Sequence, residues 1–409
     1  MKKLSEDFIK NAFLLDLAET YGTPVYVYDG EKIIEQIRKL KTAFSGLNFK
    51  IMYAAKALTN LSILKLIKKE NCGIDVVSIQ ELRLAILAGY PLRDIMFTPN
   101  NTPFAEIEQA VDIGVQINLD NLPFLENFGK RYGNTIPVCI RINPHIDAGG
   151  NEKIKTGHAE SKFGISYLQK NEILNIVRKY NLYVNGLHFH TGSDFGDVDI
   201  FIKSARILFD VAKEYPDLQF LDFGSGFKVP YKKGDKETNL SEFSEKIGEE
   251  FYSFCKNYGK NLEIWFEPGK YIVSESGLLL VSCTVIKETP SVTFIGVNSG
   301  LNHLIRPMMY NAHHDIINLS NPTGKLKKYC VSGYICETDN FAWNQYISET
   351  KEGDILAIKN AGAYGYSMSS NYNSRFRPPE VLIYNQKNFL IRRRETLSDL
   401  LATQIVHDI

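Results

Sequence analysis

No apolar stretch in the 409-residue sequence approaches the roughly 18 residues needed for a membrane-spanning helix. The longest run, around Leu278–Ile286, is about half that length, so a transmembrane segment is not expected. There is no surplus of either charge. Lys+Arg and Asp+Glu both number 47, which withholds the basic footprint of a nucleic-acid-binding protein. The six cysteines (Cys72, Cys139, Cys255, Cys283, Cys330, Cys336) form no CxxC and no metal-ligand spacing. They read as mostly buried reduced thiols, and no metal is expected. The opening MKKLSEDFIKNAF meets Glu6 and Asp7 instead of the apolar core of a signal peptide. The cytosol is the expected compartment. No internal repeat, low-complexity tract or Pro/Ser-rich linker is found.

What is present is an ordinary globular composition, 44% hydrophobic and 23% charged. Its length suits two domains, or a large barrel with an appendage. Short apolar strands alternate with helical stretches. The strands are Phe49–Tyr53, Ile74–Val77, Ile95–Thr98, Gln116–Leu119, Ile136–Ile142, Val184–His188, Gln219–Asp222 and Leu262–Phe266. Helical patterning covers Ile79–Ala88, Pro103–Ile113, Lys170–Tyr180, Phe201–Glu214 and Leu240–Tyr258. This alternation predicts parallel βαβ units, and eight such strands predict a (β/α)8 TIM barrel over residues 30–272. A doubly wound open sheet is the competing topology. From residue 273 the texture becomes β-rich, in GLLLVSCTVIKE, SVTFIGVNS, KYCVSGYIC, GDILAIKN and EVLIYNQKNFLIRR. Residues 273–409, with 1–29 and its PVYVYD strand, are expected to form a separate antiparallel β-sandwich or barrel domain.

Barrel enzymes carry their chemistry just past the C-terminal ends of the strands. At those positions YAAKAL supplies Lys56, and HFHTGS supplies His188, His190 and Ser193. DFGSGF supplies Gly224, Ser225 and Gly226, and EPGK supplies Glu267, Gly269 and Lys270. Singly, each has an ordinary explanation: a solvated lysine, a core histidine, a tight turn, an ion-paired glutamate. Together, an amine, a flat ring, a glycine turn able to cradle phosphate and a carboxylate point to pyridoxal 5'-phosphate held through a lysine.

Ten blocks in order along nearly the whole chain resemble the fold-type III pyridoxal-phosphate-dependent decarboxylases. They are YAAKAL, GIDVVSIQEL, NPHIDAGG, SKFGIS, HFHTGS, DFGSGF, EPGK, LIRPMMY, CETDNF and AGAYGYSMSSNYNSRFRPPE. The resemblance implies an alanine racemase-like barrel and β domain, with Lys56 bonded to the cofactor and His190 stacked on its ring. It places Ser193 and the Gly224–Ser225–Gly226 turn at the phosphate, with Gly269 and Lys270 nearby, and Glu267 at the ring nitrogen. Tyr364 would reach cofactor and substrate. Arg306, Tyr310, Glu337 and Lys270 would hold the substrate, and Cys336 would donate a proton. The family's Cys-Glu pair reaches into the partner's site, so a homodimer with shared sites is implied. The activity implied is conversion of meso-2,6-diaminopimelate to L-lysine and CO2, the last step of lysine biosynthesis. Another basic amino acid or polyamine precursor, such as ornithine, arginine or carboxynorspermidine, is the alternative substrate.

The residue chemistry agrees with those roles. A buried carboxylate such as Glu267 keeps a ring nitrogen protonated, which suits decarboxylation; an arginine there would suit racemisation. Arg306 offers a planar fork for a carboxylate. Three blocks depart from the family pattern. GSG stands for the usual GGG, EPGK for EPGR, and CETDNF is shorter than CESGDxF.

Overall fold

The computed structural model describes residues 11–146, 156–192, 198–232 and 234–409. The chain divides into two compact units. One comprises residues 36–229 and 236–271, the other residues 1–35, 230–235 and 272–409. Among the described residues no helix is long and apolar enough to cross a membrane.

The β-rich unit contains β1 (Val25–Asp29). The larger unit is a closed barrel of eight parallel strands. These are β2 (Phe49–Ala54), β3 (Gly73–Val76), β4 (Ile95–Phe97), β5 (Gln116–Leu119), β6 (Val138–Asn143), β8 (Val184–His188), β9 (Phe220–Asp222) and β10 (Glu263–Phe266). A two-residue strand, β7 (Ile165–Ser166), adds only to β6. The order around the barrel is β5-β4-β3-β2-β10-β9-β8-β6, and pairing of β5 with β6 closes the ring. The open-sheet alternative is thereby excluded.

The strands are apolar throughout because both faces are covered. Inside, Met52, Met96, Cys139, Phe220 and Trp265 form a buried cluster. Outside, Phe44 packs against Phe266 of β10 at 4.7 Å between ring centres, and Phe201 and Phe243 join two neighbouring helices at 4.8 Å. Asparagine and serine caps start the helices where the strand-to-helix turns end. Asn60, Ser78, Asn121 and Asn239 each accept a backbone N–H of their own helix. Each cap is worth about 1 kcal/mol.

In the second unit β1 lies between β11 (Gly277–Glu288) and β17 (Glu380–Tyr384). The remaining strands are β12 (Thr293–Val297), β13 (Ile316–Asn318), β14 (Leu326–Ser332), β15 (Asn340–Ser348), β16 (Ile355–Ile358) and β18 (Lys387–Arg392). The helix Asn11–Tyr21 contributes Leu14 and Leu17 to a core with Val25, Val27, Leu278 and Leu280. The sheet is mixed, which corrects the wholly antiparallel expectation: β1 runs parallel to β17, and β12 to β14. Neither pair is joined by a tight turn, so no hairpin imposes an antiparallel sense. The strand expected through KYCVSGYIC stops at Ser332, because the Asp339 carboxylate accepts the Ile335 N–H at 3.0 Å and folds the segment back.

Candidate functional site

The barrel register gathers polar side chains at one end. His188 pairs with Arg141 on β6 and with Asp222 on β9, and Ala54 at the end of β2 pairs with Asp75 on β3. Paired residues in neighbouring strands project to the same side, so Arg141, His188 and Asp222 share a row. All three are buried. Lys56 follows β2 in a single tight turn, Ala55–Ala57, where it is exposed while both flanking alanines are buried.

His190 lies beyond β8. Its Nδ1 accepts the Ser225 N–H at 3.2 Å, and its backbone carbonyl accepts the Thr156 hydroxyl at 2.8 Å. Burial, with the charges of Lys56 and Arg141, holds its imidazole well below the usual histidine range. It is therefore a neutral flat ring at pH 7. The GSG turn bends around this ring. Gly224 has φ +58°, and a Cβ there would lie 2.6 Å from His190 Nδ1 and 2.8 Å from the Phe189 carbonyl oxygen. Only glycine fits that approach.

Glu267 follows β10 and is buried. Its N–H donates to the Gly224 carbonyl at 2.6 Å, fixing the strand end against the turn. Its Oε2 sits 3.4 Å from His188 Nε2, and its Oε1 meets no donor among the described residues. Burial raises its pKa, opposed by the Lys56 and Arg141 charges and by a hydrogen bond with Asp222. Gly269 lets the next turn close on the first strand, since a Cβ there would lie 3.1 Å from those of Ala54 and Ala57. Lys270 is buried at the start of the short helix Lys270–Val273. Ser193 lies outside the described residues.

Motif reading missed the layer beneath these groups. Arg141 is flanked electrostatically by Glu267, Asp120, Asp75 and Asp222. Asp75 is raised to about 7, chiefly by burial. Asn118 Nδ2 lies 2.8 Å from His188 Nδ1 and donates to Thr98 Oγ1 at 3.3 Å. A signal existed: each is a polar residue near the end of a largely apolar strand, as in GIDV, QINL, VCIRIN and FLD.

The β-rich unit holds the other sequence-predicted residues in two groups. Arg306 opens the helix Arg306–Tyr310, and its guanidinium faces the rings of Tyr231 (5.3 Å), Tyr364 (5.9 Å) and Tyr310 (6.0 Å). Arg306 Nε is buried with no acceptor among the described residues. Tyr364 sits at φ +57°, unusual for an aromatic residue. Its AGAYG segment passes so close to Val273 that a Cβ on Gly362 would lie 1.8 Å from the Val273 carbonyl oxygen.

The second group is exposed. Cys336 Sγ lies 3.6 Å from Glu337 Oε2 and 3.5 Å from Asn373 Nδ2, and the Tyr372 hydroxyl donates to Glu337 Oε1. That bond pushes the Tyr372 hydroxyl up to about 12. Asp339 holds the loop from below, accepting the N–H groups of Leu301 (2.8 Å) and Ile335 (3.0 Å).

Residues 30–274 match the family described as pyridoxal-dependent decarboxylase, pyridoxal binding domain. Over 408 residues the chain is 38% identical to the diaminopimelate decarboxylase of Methanothermobacter thermautotrophicus, covering 97% of this chain and 95% of that one. It is 35% identical to the Bacillus subtilis enzyme of the same name, with 96% and 93% covered. Among solved structures, Helicobacter pylori diaminopimelate decarboxylase complexed with L-lysine superposes with a TM-score of 0.88 at 34% identity. That match covers 95% of this chain and 98% of the other.

Proposed function

The chain belongs to the diaminopimelate decarboxylases, within the pyridoxal-dependent decarboxylase family, and from that membership we propose that it removes CO2 from meso-2,6-diaminopimelate to leave L-lysine. The observation that carries the reading is Glu267, a buried carboxylate with an oxygen open to a donor, tied through its N–H to the Gly224 turn that packs against the neutral ring of His190. An acceptor in that setting suits a protonated ring nitrogen. Pyridoxal phosphate, when bound, supplies the electron sink for the electron pair left by departing CO2.

The side chains present fit that cofactor. Lys56 offers an exposed amine to hold it covalently, and His190 a flat ring to stack on it. Gly224, Ser225 and Gly226, with Gly269 and Lys270 nearby, would take its phosphate; Ser193 is assigned there from sequence alone. Glu267 would accept the ring N–H. On the substrate side, Arg306 would pair bidentately with the distal carboxylate, and Tyr310, Tyr364 and Lys270 would also bind the substrate. Glu337 would accept from the distal ammonium. Cys336 Sγ would deliver the proton that replaces CO2. We place Cys336 and Glu337 in the site of a second copy, in a homodimer with shared sites; their exposure in one chain supports this.

CO2 release measured across meso-diaminopimelate, ornithine, arginine, lysine and carboxynorspermidine tests the substrate. The first should be preferred. Arg306→Met should raise its KM about ten- to a hundredfold, the cost of one charge-assisted contact, with cofactor binding unchanged. Preference for ornithine with indifference to Arg306→Met would refute the reading.

A further inference from the structure

Two buried carboxyls in contact cannot both ionise without strong compensation. Asp222 and Glu267 are such a pair. Both are buried, and one acid-base atom from each, with one from His188, lies within 4.8 Å of the others. Asp222 Oδ1 accepts the Gly224 N–H at 2.8 Å. Asp222 Oδ2 and Glu267 Oε1 meet no N–H or O–H donor among the described residues. A hydrogen bond between two carboxyls needs a proton on one of them.

His188 does not supply a charge here. With Asn118 Nδ2 directed at its Nδ1, the network assigns its hydrogen to Nε2, 3.4 Å from Glu267 Oε2. Burial and the Arg141 charge hold His188 well below the usual histidine range. Arg141 is a lasting cation, but it also faces Asp75 and Asp120. Cys139 nearby is a neutral thiol, pushed up by burial.

We propose that Asp222 is a positioning residue: its Oδ2 keeps a proton and donates it to Glu267, while its Oδ1 ties down the Gly224 turn. One side chain thereby holds both the carboxylate assigned to the ring nitrogen and the turn assigned to phosphate. A carboxylate has about four lone-pair sites, so Glu267 can accept from Asp222 and still accept a ring N–H. Burial and the Glu267 and Asp75 charges raise Asp222 well above the usual carboxyl range, whereas the Lys56 and Arg141 charges oppose the burial that raises Glu267, so the proton rests on Asp222. The inference rests on Glu267 as the ring partner, not on which amino acid is the substrate.

Infrared difference spectra of wild type and Asp222→Asn test it, on holoenzyme and cofactor-free protein alike. The pH should lie above Asp75's own titration near 7. Wild type should show a carboxylic-acid C=O stretch, shifted in D2O, that Asp222→Asn lacks. Absence of the band from wild type, or its persistence in Asp222→Asn, overturns the proposal. Asparagine preserves the donor to Glu267 and the acceptor for Gly224, so equilibrium dialysis should find its pyridoxal phosphate affinity close to wild type. Asp222→Ala should bind about ten- to a hundredfold more weakly. An asparagine variant as weak as the alanine variant also overturns the proposal. A failed substrate assignment would leave the infrared result untouched.

Discussion

The barrel cluster and the Cys336 cluster use similar side chains in opposite surroundings. In the barrel, Asp75, Arg141, His188, Asp222 and Glu267 are buried, and their charges act on one another. In the β-rich unit, Cys336 and Glu337 on one loop and Tyr372 and Asn373 on a second segment are exposed. Burial is what shifts the first set: Asp75 to about 7, Asp222 upward, His188 and His190 downward. Charges there interact at low dielectric, where each proton's position matters. The second set is solvated, and its geometry comes from hydrogen bonds and from Asp339 beneath the loop. Groups that tune a cofactor need a dry, fixed frame, whereas groups assigned to a second copy must stay accessible until it arrives.

Three tests bear on that contrast. The largest effect should come from Lys56→Ala, which should abolish decarboxylation. Lys56→Ala should still fold, because Lys56 is exposed at a strand end outside the core. Borohydride reduction of wild type followed by peptide mapping should find the cofactor on Lys56. Another lysine would show that the barrel cluster does not hold it.

Next in size is complementation between the two clusters. Lys56→Ala and Cys336→Ala should each be nearly inactive. Mixed under subunit exchange, they should recover about a quarter of wild-type activity, since half the dimers then carry one intact site of two. Proven heterodimers without activity would place Cys336 in its own chain's site.

The smallest effect concerns Asp339, a buried carboxyl beneath the exposed loop. Burial raises it from 3.8 to about 6, against the Ile335 and Leu301 N–H bonds that lower it. The native state then binds this proton more tightly than the unfolded state. Its contribution is full below about pH 4 and is lost as pH rises through 6, at most about 3 kcal/mol. Asp339→Asn should remove that slope. Urea unfolding of both proteins between about pH 4 and pH 7 checks it, and identical slopes would contradict the assignment.

Much of this protein was legible in its sequence for one physical reason. Barrel strands are covered on both faces, so they read as apolar runs, and Gln116–Leu119 and Val184–His188 match the expected bounds. The helices Lys170–Tyr180 and Leu240–Tyr258 also match, being amphipathic over several turns. Lys56, His190, Gly224 and Glu267 stood out because they follow strand ends in glycine-containing or polar motifs. The strand Asn340–Ser348 went unmarked, since Asn340, Asn344 and Gln345 interrupt its apolar pattern.

What the linear order could not reveal is which residues meet. Arg141, His188 and Asp222 become neighbours only through the register of β6, β8 and β9. Val25–Asp29 pairs with Glu380–Tyr384 more than 350 positions away, in a parallel sense no local turn encodes. Composition and periodicity determined the elements and named the amine, ring, turn and carboxylate. Tertiary structure alone decided how deeply each is buried and which charge faces which, and hence where the protons reside, because desolvation and Coulomb energy depend on packing and distance, not on position in the chain.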